Sequence, residues 1–558
     1  MTGSPEPGDV TDAAGPTTSA GGPAVRQSAH IVATGILLSR IAGLIRDRVF
    51  AQYLGTSLFA SAFRGALRMP NVLQNLLGEG TLSASFIPVY VELLERDRRA
   101  AGRLAGTVFA LLLAAAAALA LIGVTFAPLL VRFFFPGFDG ELRAVTIRAV
   151  RIMFPMTGVL VLSAWALGIL NSHRRFLVSY TAPVAWNAAI IAALFAFGGT
   201  LTGSDLVIAA CWGAFAGGVL QLGVQLPWVL RLERSLRIGD ISSPAVRRVL
   251  DNAGPAILGR GVVQISAWVD MVLASYLFAG AVAVLGFAQT FYVLPVSLFG
   301  MAVAAAELPE MSRQAGGPVE ALRQRLESGL RGIAILVVPS AVGYVAIGDV
   351  IVAAIYQGGQ FQRLDTLIVW IVLAAYSVGL FASTSTRLYS SAFYALQDTR
   401  RPAIYAGIRV FAAAAMGGTF MLVAERYAIV LPFEIVPNTG DIETARPLGA
   451  AGLALGAGLA AWIEWTLLRR GMQRRVGGLE SGATVLIRLL IAAAIPAAAI
   501  RLVLVPLLGA LAPLVVALIV LPAYGAAYFA IATMFGVPGV RDTVSRVVRR
   551  FGGRRRGA

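Results

Sequence analysis

Lysine does not occur in this 558-residue chain, so all 46 of its basic side chains are arginines. Cysteine occurs once, at Cys211 inside an apolar run, which excludes a disulfide framework and a clustered thiol site for zinc. Histidine occurs twice, as His30 and His173, and neither belongs to an HExxH or other paired arrangement. Charge is scarce as well: 13% of residues are charged, 58% are hydrophobic, and mean hydropathy is +0.77. A soluble globular domain does not have that balance. Walker A and GxSxG motifs are missing and no paired loop carboxylates stand out, so an enzyme is not expected. The formal charge of +17 would suit a nucleic-acid partner only on a long polar segment, and the chain has none.

What is present is a series of long apolar runs. A window of about 20 mostly apolar residues, enough to cross a bilayer, finds fourteen candidate spans, starting near residues 30, 58, 103, 146, 177, 206, 250, 281, 329, 366, 402, 448, 483 and 510. The second and eighth are interrupted by Pro70 and Pro295. Every even-numbered connection is rich in arginine, from ERDRRAAGR after span 2 to RRGMQRR after span 12, whereas odd-numbered connections such as GGTLTGSD carry little positive charge. The positive-inside rule then puts both termini in the cytoplasm. Residues 1–28, rich in Gly, Pro, Ser, Thr and Ala and without a signal-peptide h-region, read as a disordered tail.

The chain also repeats itself. Asp47 to Leu54 reads DRVFAQYL and Asp270 to Leu277 reads DMVLASYL, an offset of 223; ILNSHRRF at 169–176 parallels ALQDTRRP at 395–402, an offset of 226. Six spans per copy keep both copies in one orientation, the arrangement of transporters that rock two lobes about a central site. The expected fold is an all-α polytopic membrane protein of about 14 transmembrane helices. An N-lobe at 29–235 and a C-lobe at 244–470 surround a central cavity, followed by two extra helices at 480–540 and a basic cytoplasmic tail at 541–558.

Within the spans lie polar residues that lipid would not tolerate. At 100° per residue, Ser39, Arg40, Gly43, Arg46 and Asp47 share an arc of about 120° and Arg48 points away. An arginine facing lipid near the bilayer centre costs at least about 2.5–3.5 kcal/mol, so that arc should face protein or a watery cavity. A structural salt bridge would account for Asp47 and one neighbour, but two arginines to one acid leave positive charge over. Ser57, Ser61, Arg64, Arg68, Asn71 and Asn75 likewise line one face of span 2, either as a cavity wall or as an interfacial helix. Span 7 carries Arg260, Gln264 and Asp270, and Asp270 has no basic residue after it, which leaves it freer to bind a cation or a proton. Arg387 and Arg409 are further candidates for buried cations, with simple ion pairing or snorkelling as the other reading of each, and Glu464 and Glu307 are candidate partners. The Gly78-Glu79-Gly80 stretch reads as a hinge after span 2, with Pro70 before it and Pro295 as its counterpart in span 8.

Fourteen spans, parallel repeats and SRIAGLIRD at 39–47, together with MPNVLQNLLGEG (69–80), SFIPVY (85–90), QISAWVDMVLAS (264–275), LPEMS (308–312) and AFYALQDTRRP (392–402), resemble the MurJ (MviN) family of lipid II flippases. That family lies within the multidrug, oligosaccharidyl-lipid and polysaccharide exporter superfamily. The resemblance implies flipping of an undecaprenyl-pyrophosphate-linked peptidoglycan precursor across the bacterial cytoplasmic membrane by alternating access. Cavity cations would hold the pyrophosphate: Arg40 and Arg46 match the family arginines of span 1, and Arg387 falls where span 10 keeps a basic residue. Asp270 matches an acid with which some members bind a cation. No cofactor is implied, and the drive is left among membrane potential, Na+ and H+. The partners implied are the glycolipid, the bilayer and proteins of cell-wall synthesis or division.

Several family charges are neutral in this chain. Ser61 stands where an acid is usual, Gln74 and Asn75 where an arginine is, and Gln289 and Thr290 where an acid and an arginine follow one another. Arg64, Arg68 and Arg260 restore positive charge from adjacent positions on helical geometry. These losses motivate two competing readings, export of another polyprenyl-linked saccharide and a non-transporting scaffold of the cell-wall machinery.

Overall fold

The computed structural model describes residues 23–301, 303, 307, 311, 319–439, 445–479, 482–541 and 545. Helices stand at all fourteen windows. The first half contains α1 (Pro23–Leu54), α2 (Leu58–Leu77), α3 (Glu79–Arg96), α4 (Arg98–Thr125), the short α5 (Ala127–Phe134), α6 (Gly140–Ser172), α7 (Phe176–Phe197) and α8 (Gly203–Leu232). The second contains α9 (Pro244–Ser275), α10 (Ala281–Pro295), α11 (Val319–Tyr356), α12 (Arg363–Ser377), α13 (Leu380–Ala395), α14 (Arg400–Ala424) and α15 (Gly449–Val476). Beyond these lie α16 (Ala483–Ala499) and α17 (Pro513–Met534).

Among the described residues, ten helices are long and apolar enough to cross a membrane, and α12 with α13, bent by 43° at their junction, would be an eleventh. The three windows that fall short are α1, α2 with α3, and α9. They are the polar spans singled out above.

The first eight helices pack chiefly on one another, with α6 at the centre against α2, α4 and α8, and α7 between α1 and α8. In the second half α14 lies along α15, and α12 packs on α11 and α15. The two extra helices α16 and α17 pack on α11. Local chemistry sets the boundaries. Ser57 caps α2 by accepting a hydrogen bond from the Ala60 amide, and Asp97 caps α4 through the Arg99 amide. Gln362 and Asp365 form a reciprocal capping box at the start of α12.

The repeat has a single register. After α6, Arg174 takes a left-handed backbone conformation and the Arg174 and Arg175 amides donate to the Asn171 and Leu170 carbonyls. After α13, Gln397 takes the same conformation, and the Gln397 and Asp398 amides donate to the Tyr394 and Phe393 carbonyls. Helix-terminating turns of this kind are fixed by backbone hydrogen bonds, and these two are 223 residues apart, as Asp47 and Asp270 are. The offset of 226 suggested by the paired arginines is therefore a three-residue slip.

The connection after α14 departs from an all-helical expectation. Strands β1 (Tyr427–Val430), β2 (Glu434–Pro437) and β3 (Arg446–Pro447) form an antiparallel sheet in the order β2-β1-β3, with Ala428 paired to Val436 and to Pro447. Branched residues either side of a proline turn favour strand over helix, and Ala428 and Ile429 are buried by it.

Candidate functional site

The polar arc of α1 is the starting point. Asp47 is buried, and an Nη2 of Arg46 lies 2.9 Å from its carboxylate. Arg64 on α2 approaches the same oxygen at 3.8 Å, and the Thr290 hydroxyl on α10 donates to the other oxygen at 3.3 Å. Arg46 also donates to the side-chain carbonyl of Asn187 on α7 at 3.1 Å, and its guanidinium lies 5.1 Å from the Trp186 ring centre. The Arg64 guanidinium sits over Phe287 at 4.1 Å, and its buried Nε has no acceptor. Cation–π contact replaces part of the hydration such a cation loses, but a buried donor without an acceptor remains costly. Arg48 points the other way: it donates to the carbonyls of Ala354 and Ile355, 2.9 Å each, at the C-terminal end of α11. A cation there complements the helix dipole.

A second strand of contacts runs through Arg68. Its guanidinium donates to Gln289 at 3.1 Å, and Gln289 donates to the Tyr376 hydroxyl on α12 at 3.1 Å. Gln289 and Thr290, two neutral departures from the family pattern, are thus the groups through which α10 meets Arg68 and Asp47. Ser61 is similarly engaged, accepting from the Ala283 amide at the start of α10. Arg40 is exposed and donates to Ser297 at 2.8 Å. Ser297 lies in the π-helical turn Val296–Met301 that follows Pro295. Ser39 and Gly43 are half-buried on the same helix, and Gly43 faces Asn187.

Pro70 does not break its helix, because α2 runs through it to Leu77. In a packed bundle the one lost backbone bond is tolerated. The break lies at Gly78, where an added Cβ would collide with the Gln74 carbonyl; Gly80 is already inside α3. Pro295 ends α10 as expected, and the wider π turn absorbs the change.

The second lobe is arranged differently. Asp270 is half-buried and no hydrogen bond or ion pair reaches it among the described residues; Arg68 and Arg409 are the cations whose fields it feels. Gln264, half-buried on the same helix, has no described partner, and the Arg260 side chain lies outside the described residues. Arg409 pairs with Glu464 at 2.9 Å, whereas Glu307 pairs with Arg325 at 2.6 Å and not with a span cation. Arg387 is exposed in part and carries no ion pair among the described residues. On α14, Gly417 lies so close to Gly456 on α15 that a side chain would not fit between them. Among the described residues no three His, Cys, Asp or Glu side chains converge as metal ligands would.

Beside the arginines lies a partly open cavity of about 870 Å³, lined by α2, α3, α6, α7 and α8. Asn71, Gln74 and Asn75 line it together with Ser163, Gln221 and the Trp186 ring. The polar face of α2 is therefore divided, with Arg64 and Arg68 at the charge cluster and the three amides at this cavity. Trp186, Asn187, Ser163 and Gln221 were not picked out from the sequence. Each is a single polar or aromatic residue in an apolar run, and only its i±3 or i±4 neighbours, such as Pro183 with Asn187, could have flagged a polar helix face.

The lobes meet at both ends of the bundle. At the end away from the arginine-rich turns, Thr56 hydrogen-bonds Asp365, and the Gln360 amide donates to the Gln52 carbonyl at 2.8 Å. At the arginine-rich end, Arg248 on α9 bridges to Glu92 on α3 at 3.1 Å. There too, His173 shares the Tyr90 hydroxyl with Glu233, so it belongs to a partly buried network and not to a free surface.

A family model described as lipid II flippase MurJ matches residues 50–522. The chain is 32% identical over 483 residues to the probable lipid II flippase MurJ of Rhizobium meliloti, a match covering 83% of each protein. It is 30% identical over 448 residues to the lipid II flippase MurJ of Burkholderia cenocepacia, covering 79% of this chain and 82% of that one. In fold it is similar to a lipid II flippase MurJ in an inward closed conformation, with a TM-score of 0.73 and 22% identity over 92% of this chain and 100% of the other. A multidrug resistance MATE family transporter of the MOP superfamily, inward-facing, follows at a TM-score of 0.63 and 16% identity, covering 81% of this chain and 98% of the other.

Proposed function

The chain belongs to the lipid II flippase MurJ family, and from that premise we propose that it flips lipid II with Arg46, Arg64 and Arg68 as the seat of the pyrophosphate. It is a multi-pass membrane transporter. The relatives carry the lipid II name, so export of another saccharide and a scaffold role are not favoured.

The observation that carries the seat is the imbalance at Asp47. Arg46 and Arg64 share one paired carboxylate, Arg68 hydrogen-bonds only a neutral amide among the described residues, and the buried Nε of Arg64 lacks an acceptor. Sequestering cations without matching anions is costly, and a pyrophosphate offers several oxygens for charge-assisted, bidentate hydrogen bonds. Arg40 and Arg387, both exposed, serve as guiding charges for the same anion. Asp270 is the group for coupling to Na+ or H+, since its carboxylate is not committed to a partner. The membrane potential would act on the same net charge. The arginine-rich end faces the cytoplasm with both termini, in the bacterial cytoplasmic membrane. Moving substrate outward requires release of the Arg48 and Thr56 contacts at the opposite end while the Arg248–Glu92 contact is kept.

A strain depleted of its own flippase tests the seat. Wild-type protein should restore growth, and Arg46→Ala or Arg64→Ala, produced at the same level, should not. Normal growth on both variants would remove the pyrophosphate role from this cluster. Labelling of Ser242→Cys and Thr200→Cys by an impermeant thiol reagent in intact cells checks orientation, with only the second expected to react.

A further inference from the structure

We propose that the uncharged cavity beside the arginines is a saccharide subsite, which takes the sugar rings that follow the pyrophosphate in the transported lipid; the assignment rests on the flippase reading above. Its volume of about 870 Å³ lies within the range of small-molecule sites. Its polar lining consists of amides and hydroxyls: Asn71, Gln74, Asn75, Ser83, Ser163 and Gln221. Amides donate and accept at once, which matches a sugar hydroxyl that also does both. The flat Trp186 ring supplies the apolar surface on which the C–H face of a sugar ring stacks.

The position of the cavity fits the same reading. The Arg46 guanidinium lies 5.1 Å from the Trp186 ring centre and Trp186 also lines the cavity, so the cation cluster and the cavity share one side chain. The lining is partly ordered in advance, because the Ser163 hydroxyl donates to Gln225 at 2.7 Å and accepts from Gln221 at 2.9 Å. Other polar groups are left over. The Asn71 and Gln74 side-chain amides line the cavity and have no partner among the described residues. Unsatisfied polar groups concentrated around one void indicate a polar occupant.

Among the described residues no charged side chain lines the void. A stem peptide with free carboxylates and amines would find no counter-charge there, whereas neutral sugar rings need none. The loss of a family arginine at Gln74 and Asn75 is, on this assignment, a change from charge to hydrogen bonding at a sugar site.

Equilibrium binding of three lipids to the full-length protein in nanodiscs separates the possibilities: lipid II, lipid II lacking its stem peptide, and undecaprenyl pyrophosphate without sugar. Wild type should bind the first two within about threefold of each other and the third about tenfold more weakly, as two or three lost hydrogen bonds imply. The shape-conserving pair Asn71→Leu and Gln74→Met should weaken lipid II about tenfold and leave undecaprenyl pyrophosphate unchanged. Gln221→Met, on a different helix, should act in the same direction and guards against a folding defect in α2. Equal loss for all three lipids, or none for any, would overturn the subsite, and so would dependence on the stem peptide alone. Wild type that binds undecaprenyl pyrophosphate as tightly as lipid II would also overturn it while leaving the pyrophosphate seat intact. Wild type that binds none of the three would overturn the flippase reading itself.

Discussion

Asp47 and Asp270 hold the same address in two copies of one repeat, 223 residues apart, and differ in nearly everything around them. Asp47 follows Arg46 in sequence, faces Arg64 from α2 and accepts from Thr290, so its carboxylate is fixed by three partners from three helices. Asp270 follows Val269, precedes Met271 and accepts no described hydrogen bond. Duplication preserved the backbone, and neighbouring substitutions separated the chemistry. One carboxylate organises cations, and the other is left available to titrate or to bind one.

The sharpest test of that contrast is a pair of isosteric changes. Asp47→Asn leaves two arginines against a neutral group, and breaking a buried pair in this way costs about 3–5 kcal/mol. The thermal midpoint in detergent should fall accordingly and flipping should be lost. Asp270→Asn should change stability by no more than about 0.5 kcal/mol and instead alter the dependence of transport on Na+ or pH. Equal destabilisation by the two would dissolve the contrast.

Arg48→Gln should follow in size. It removes two charge-assisted bonds from the end of α11, worth about 2 kcal/mol together. Hydrogen exchange at residues 353–357 should rise before any global unfolding. Thr290→Val removes one of the bonds that distinguish Asp47, with an expected loss of about 1 kcal/mol read from the same thermal midpoint. Glu92→Gln breaks an exposed bridge and should cost no more than about 0.5 kcal/mol, an effect that disappears in high salt.

The smallest effect concerns pH. Burial, opposed by the charge of Glu233, holds His173 below the usual imidazole value near 6.5. A depressed value means that the unfolded chain takes up the proton first. The contribution of the neutral ring is therefore complete above the unfolded value and is lost as pH falls through the folded one. His173→Gln should flatten the acid-side decline in thermal midpoint, while the matching turn after α13, which lacks a histidine, should show no counterpart.

How much of this was legible in the sequence can be traced residue by residue. The sides of α1 were, because a helix turns 100° per residue and Arg48 cannot share a face with Arg40 and Arg46. The break near Gly78 was too, although Pro70 received part of the credit. The partners were not. Gln289 and Thr290 looked like lost charges, yet they are where α10 meets Arg68 and Asp47. Trp186 and Asn187 were hidden in an apolar run, and the sheet at 427–447 was masked by its setting among helices.

The sequence alone determined the class, the places of the helices, the parallel repeat and its arginine sidedness, since hydropathy, charge bias and helical periodicity act along the chain. Only the tertiary structure decided which charges are paired, which amides surround a void and which of two equivalent aspartates is spent. Those outcomes depend on contacts between residues hundreds of positions apart, such as Arg46 with Asn187 and Arg48 with Ala354, and no local pattern encodes a distance across a bundle.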